Sequence, residues 1–434
     1  MGFNFFSNQQ NAALSPPMKQ KTLLKASKIV IKREIMSSAK LESSWNDTNK
    51  EAVGLSARGD TNFVHWVVKV LHNLKQNQSF HKTKSEGKNE TNNKKIALVI
   101  EGGEMRGCIT GGMVCGINYL GLRDCVDVVY GSSASIIIWA YFITGQLPWF
   151  SPEVYYNQLT MAGKSFINTN RLLLALGLGL LNPKLLRDVL FRQNAGKPLL
   201  NLDFLLQTTM QEQKPLNWES FVKQQEPQPL KIIGSCLKRE GLLVMSYDDK
   251  NFESPKELSK CIYASALLPG IADPMVNMLV DKDNANKKPK FVLKNNFKDK
   301  SYKRLADALV YNPIPYKVAM EDGATHMIVL RSKPNDRDVI GKGRNLGEKL
   351  VWSLFFLRKN KLPQIYQRLM KQLHKKLYTK NVLELNKALT IDNSASKLRP
   401  TLTVVIPGTI KEVPCLEVGR KAIFEGVWDG FARA

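Results

Sequence analysis

Histidine and cysteine are scarce in this chain, with five and six residues respectively among 434. The cysteines are Cys108, Cys115, Cys125, Cys236, Cys261 and Cys415. They have no metal-ligand spacing and are too few for a disulfide scaffold, so they read as buried thiols of a reducing compartment. No apolar run is both long and unbroken enough for a membrane span. Gly131, Ser132, Ser133, Gly145 and Pro148 interrupt the uncharged run 128–152, and the leucine-rich run 172–181 is too short. No internal repeat stands out. Acids are also few, 38 against 63 Lys and Arg, for a net charge of +25. That excess would suit nucleic acid, yet the chain has no zinc finger, RNA-binding signature or aromatic-interleaved basic groove, so no nucleic acid partner is expected.

The informative stretch runs from Lys95 to Gly145. An apolar strand, Ile96 to Ile100, leads into Glu101-Gly102-Gly103-Glu104-Met105-Arg106-Gly107. A second strand, Val126 to Tyr130, leads into Gly131-Ser132-Ser133-Ala134-Ser135 and an apolar helix from Ile136 to Tyr141. A serine on a sharp strand-to-helix turn stands clear of the sheet, with the helix N–H groups aimed at the reacting carbonyl. Ser133 is therefore the candidate nucleophile; an ordinary serine turn is the plain alternative. The glycine loop can turn several N–H groups toward one point, as oxyanion holes and phosphate cradles both require. A phosphate loop would end in Lys-Ser/Thr, which is missing here.

Downstream lie Ala264-Ser265-Ala266-Leu267-Leu268-Pro269-Gly270 and Leu305-Ala306-Asp307-Ala308-Leu309-Val310-Tyr311-Asn312-Pro313-Ile314-Pro315. Glycine loop, serine elbow, ASxxLPG and Asp-x-x-x-x-Asn-Pro-x-Pro, in this order, resemble the patatin-like phospholipase family, closest to its bacterial-type branch. The resemblance implies an α/β fold, a three-layer sandwich with a largely parallel central sheet flanked by helices. It implies a Ser–Asp dyad of Ser133 and Asp307, and an oxyanion hole from the N–H groups of Gly102, Gly103 and Glu104. Arg106 and Gly107 would brace the loop, and Gly131 and Ser135 would shape the elbow. Neither metal nor organic cofactor is implied. The substrate would be a membrane glycerolipid or other acyl ester, cleaved by acyl transfer through the serine. A carboxylate can serve as the base only where its surroundings raise its basicity.

Three positions depart from the family pattern. Glu104 stands for the third glycine of GGGxRG, Ser135 for the last glycine of GxSxG, and Ala308 for the glycine after the aspartate. Glu104 is the most serious, since a side chain at positive φ carries strain of about 1–3 kcal/mol and brings a carboxylate toward developing negative charge. A catalytically weakened or inactive lipid-binding relative is therefore the alternative reading. A Ser–His–Asp triad would need His326, which opens the strand Met327 to Leu330 and so belongs at its amino end, whereas sites in parallel sheets gather at carboxyl ends. His65, His72 and His81 precede the fold, and His374 lies in a basic helix.

The motif-bearing parts span most of the chain and must meet at one site. One acyl hydrolase domain is expected over 95–434, after an N-terminal extension, 1–94. Helices are expected over 108–120, 153–222 and 256–266, a hairpin over 230–247, and strands at 327–330 and 402–406. Residues 1–33 contain no acid but six basic residues among Ser and Thr. That composition fits an organelle transit peptide, plastid or mitochondrial, and equally a basic tail on an intracellular, peripheral membrane protein. Residues 82–95 read as a polar linker, and Phe63 to Leu71 as a short helix. From Gly341 to Lys380 there are eleven Lys or Arg against the single acid Glu348. Leu362, Ile365, Leu369, Leu373 and Leu377 recur there at helical spacing behind Pro363. This predicts a basic amphipathic helix whose stripe faces either the core or an anionic lipid surface. The run 172–181 reads as a buried helix or as an apolar wall for acyl chains.

Overall fold

A computed structural model of the protein describes residues 95–133, 135–147, 150–167, 200–238, 241–268, 276–279, 290–293, 302–335, 339–340, 349, 352–359, 361–390, 401–405, 407 and 413–434. The expected extension 1–94, the run 172–181 and the basic residues 341–348 lie outside the described residues.

The described strands form one sheet around β1 (Ile96–Ile100), whose five apolar residues are all buried, as a strand covered on both faces requires. β2 (Val128–Ser132) pairs parallel on one side of β1 and β8 (His326–Leu330) on the other. β3 (Leu230–Cys236) extends the parallel set beyond β2, and β9 (Thr401–Val405) extends it beyond β8. The sheet centre is thus parallel, with helical crossovers, as alternating elements predicted. β4 (Gly241–Met245) returns antiparallel along β3, the expected hairpin. β5 (Val276–Leu279), β6 (Lys290–Leu293) and β7 (Tyr302–Ala306) form an antiparallel flank.

Helices cover both faces. On one, Ala97, Val99, Val128 and Tyr130 pack with α5 (Tyr316–Glu321) and with Tyr378, Val382 and Leu385 of α7 (Leu373–Thr390). Strand alternation turns Val129 and Gly131 the other way, toward α2 (Ser135–Ile143). A Cβ on Gly131 would stand 3.1 Å from both Ile136 Cγ1 and Trp139 Cδ1, so glycine lets helix and strand approach. All nine residues of α2 are buried, which explains why the run is apolar on every side.

α1 (Gly107–Tyr119) crosses α8 (Arg420–Arg433) at backbone contact. A Cβ on Gly112 would collide with the Val427 carbonyl and one on Gly430 with the Ile109 carbonyl, while Gly426 faces Cys108 Sγ. α3 (Trp218–Gln224) and α4 (Pro255–Ala266) complete the main helices; α4 opens on a Ser254 cap that accepts from Glu257 N–H, with proline in its first turn.

The basic stretch departs from the single amphipathic helix predicted. It forms α6 (Pro363–Met370) and α7, broken where Gln372 takes φ +53°. Ile365 and Leu369 are buried and Leu362, Leu373 and Leu377 partly so, whereas Lys361, Lys371, Lys376 and Lys380 are exposed. The apolar stripe therefore serves the core, and the basic back is what faces solvent. No helix among the described residues is long and apolar enough to cross a membrane.

Candidate active site

β2 ends at Ser132, and the next residue turns sharply: Ser133 takes φ +60° and is only 6% exposed. Its N–H donates to Ser265 Oγ (2.9 Å), and that hydroxyl donates in turn to the Ile233 carbonyl of β3. The serine of the ASxxLPG stretch thus fixes the elbow from α4, a role that its sequence position did not reveal.

Sheet order brings in the aspartate. β4 holds one edge of β3 from Ile232 to Cys236, so β7 must share the other edge with β2. It pairs at Ser235 and Cys236, just beyond the end of β2. Asp307 follows β7 directly. Ser133 Oγ donates to Asp307 Oδ2 at 2.7 Å, across 174 residues of chain, while Asp307 Oδ1 accepts Leu309 N–H at 2.7 Å and caps a 3₁₀ turn, Ala308–Val310. Asp307 is 3% exposed. Burial pushes its carboxyl up from 3.8 to about 7; the Leu309 and Ser133 hydrogen bonds pull it down, nearby Glu104 pushes it up and Lys333 opposes that.

The glycine loop lies against this pair. A Cβ on Gly102 would stand 2.8 Å from Ser133 Cβ, and one on Gly103 would stand 2.7 Å from Ser332 Oγ, so both positions need glycine for close approach. Gly102 N–H donates to Ser132 Oγ at 2.9 Å. The N–H groups of Gly103 and Glu104 carry no hydrogen bond among the described residues. Arg106 closes the loop through its N–H to the Gly103 carbonyl (2.9 Å), and its guanidinium lies beside the Cys415 thiol. Gly107, packed against the Tyr155 ring, starts α1.

The three departures fare differently. Ser135 is fully buried and its hydroxyl donates to the Glu101 carbonyl (2.9 Å) and the Ser132 carbonyl (3.1 Å), tying elbow to loop. Ala308 sits in the 3₁₀ turn without positive φ and packs into the core. Glu104 alone keeps its conflict, with φ +54° and a buried Oε2 that has no hydrogen-bond partner among the described residues.

Sequence reasoning passed over a charged group beneath the loop. Glu101 is 1% exposed. Its carboxylate accepts Ser332 N–H (2.9 Å) and Lys333 Nζ (2.9 Å), with Arg331 Nε at 3.8 Å. Burial alone would raise its pKa, yet Lys333 and Arg331 together hold it below the usual value. This clamp joins the ends of β1 and β8. The cations belong to a segment 230 residues downstream, which no local pattern connects to Glu101.

Glu104, Ser133, Leu159, Phe166, Ile167 and Leu205 line a mostly apolar cavity of about 20 Å³, room for a water rather than an acyl chain. Ile167 and Leu200, on either side of residues 168–199, bridge antiparallel at its wall. His326 pairs with Ile96 at the amino end of the sheet, the end opposite to Ser133, and its ring lies 2.9 Å from Thr325 Oγ1. Buried His374 packs on Trp352; burial, with Lys375 and Arg368, lowers it to about 4. None of the six cysteines forms a disulfide, and all but Cys415 are buried.

No curated protein sequence matches the chain. Among solved structures it is similar to VipD from Legionella pneumophila, with 11% identity and a TM-score of 0.38, over 79% of this chain and 66% of that one. It is also similar to human GIVD cytosolic phospholipase A2 in complex with methyl gamma-linolenyl fluorophosphonate and terbium chloride, with 14% identity and a TM-score of 0.32, over 61% of this chain and 43% of that one. The chain therefore spans less than two-thirds of the length of either. The model of the patatin-like phospholipase family matches residues 98–320, more than half of the sequence and the part that holds loop, elbow and aspartate. The chain belongs to the patatin-like phospholipase family.

Proposed function

We propose that this protein is a lipid acyl hydrolase, cleaving membrane glycerolipid esters in phospholipase A fashion through Ser133 and Asp307. The observation that carries this is the 2.7 Å contact between Ser133 Oγ and a buried carboxylate raised to about 7, where it can take a proton near neutral pH. Asp307 removes the proton as Ser133 attacks the ester carbonyl, and the N–H groups of Gly103 and Glu104 receive the oxyanion. Gly102 joins them once its N–H leaves Ser132 Oγ. The alcohol departs with the proton from Asp307. Water, deprotonated by the same carboxylate, then releases the fatty acid and restores the serine. This chemistry calls for neither metal nor organic cofactor.

The exposed Lys371, Lys376 and Lys380 support docking on anionic lipid, worth about 1 kcal/mol per basic residue near the surface. They adjoin the start of α7, whose Tyr378 meets Arg331 just beyond β8, at the same sheet end as Ser133. In this reading residues 95–434 are the hydrolase domain, and 1–94 are an extension with an address or tethering role on an intracellular, peripheral protein. Glu104 favours a second reading, a lipid-binding relative with impaired turnover, because its backbone is strained at φ +54° and one buried oxygen of its carboxylate has no hydrogen-bond partner among the described residues.

The test is fatty-acid release from mixed phospholipid and galactolipid vesicles and from a short chromogenic ester, comparing wild type with folded Ser133→Ala. Turnover lost in the variant, by at least about 10³-fold, supports the hydrolase. No turnover in either protein, with vesicle binding intact, selects the second reading.

A further inference from the structure

The base is anchored from outside the matched family region. Arg368 of α6 donates through Nε to the Val310 carbonyl at 3.0 Å, and its guanidinium lies over the Tyr311 ring at 4.2 Å. Val310 ends the 3₁₀ turn that Asp307 caps, and Tyr311 follows it. One side chain therefore grips the turn at two consecutive residues. The same turn presents Leu309 N–H to Asp307 Oδ1, and that bond leaves Oδ2 to face Ser133.

We propose that Arg368 is a positioning residue for Asp307, holding the turn whose Leu309 N–H orients the carboxylate toward Ser133. The proposal rests on the hydrolase reading for its kinetic consequence, though not for its structural one. The groups facing Asp307 are Ser133 from the elbow, Glu104 from the glycine loop, Lys333 from beyond β8 and its own Leu309 N–H. None belongs to α6, so Arg368 acts through the turn rather than by direct charge. Without Arg368 the Val310 carbonyl loses its donor, the turn loosens and the Leu309 bond weakens. That bond favours the ionised carboxylate, so its weakening moves ionisation to higher pH.

Arg368→Met keeps the length of the stem and removes both grips; Arg368→Lys keeps a charge and a donor. For R368M the acid limb of kcat is expected to move up by about one pH unit, which is about a tenfold loss of kcat at pH 6 that fades by pH 9. KM for the chromogenic ester stays within about twofold, since the residue touches no substrate. R368K returns the limb toward wild type; if R368M fails to fold, R368K carries the test with a smaller shift of the same sign. A uniform loss at every pH, or an unmoved limb, overturns the proposal.

A turnover-free arm measures urea stability of wild type and R368M, each with and without Asp307→Asn, from pH 5 to 9. The pH at which the Asn substitution reaches its full effect is expected to rise in the R368M background, and an unchanged midpoint overturns the proposal. If wild type hydrolyses nothing, the hydrolase reading fails alone, and this arm still decides the role of Arg368.

Discussion

Replacing Asp307 by asparagine is expected to abolish turnover while making the protein more stable at neutral pH. An ordinary aspartate ionises near 3.8, whereas burial carries Asp307 to about 7. Between these values the unfolded chain has released a proton that the native state retains. Stability therefore falls as pH rises through the window, and it levels off above the folded value. At about 1.4 kcal/mol per pH unit the whole loss is on the order of 4 kcal/mol, of which about 3 kcal/mol falls between pH 5 and pH 8. Against a typical net stability of about 5–15 kcal/mol, that is a large share. Asparagine keeps the geometry: its oxygen can accept Leu309 N–H while its amide donates to Ser133 Oγ. Urea titrations at pH 5 and pH 8 measure the effect. The advantage of D307N over wild type should grow by about 3 kcal/mol between them, and kcat/KM of wild type should climb with pH through about 7. An advantage equal at both pH values would mean that Asp307 ionises as an ordinary aspartate, and the account of a base activated by burial would fall.

Glu104→Gly should relieve strain of about 1–3 kcal/mol at φ +54°, read as a higher urea midpoint, and under the proposed mechanism should raise ester turnover by removing a negative charge from the loop beside Ser133. Unchanged stability would show that the left-handed conformation costs nothing there. Gly112→Val forces a side chain into the Val427 carbonyl across the α1–α8 crossing. A loss of at least about 1–3 kcal/mol is expected, together with faster proteolytic removal of α8; a neutral effect would show that the helices can part freely.

How much of this was legible in the residues differs from element to element. β1, the β3–β4 hairpin, α4 and the helix after the elbow were written in apolar patterning, because that signal acts within a few residues. The elbow at Ser133 follows from a strand meeting a helix at a tight turn, and the strain at Glu104 follows from a side chain where the loop needs glycine. Asp307 came from an ordered series of motifs rather than from spacing.

Chain-local chemistry thus determined the strand, the elbow serine, the strained glutamate and the excess of base. Tertiary structure alone decided which loop N–H groups are unbonded, because Ser132 Oγ claims Gly102 only once β1 and β2 pair. It turned the Ser135 hydroxyl into a tie between elbow and loop, broke the basic helix at Gln372 and aimed its apolar stripe inward. It paired Glu101 with Lys333, 232 residues away, and let β7 deliver Asp307 past the end of β2. Local rules set torsion angles and periodicity over a few residues. Sheet order sets which distant side chains share one desolvated place, and there burial gives Asp307 its basicity.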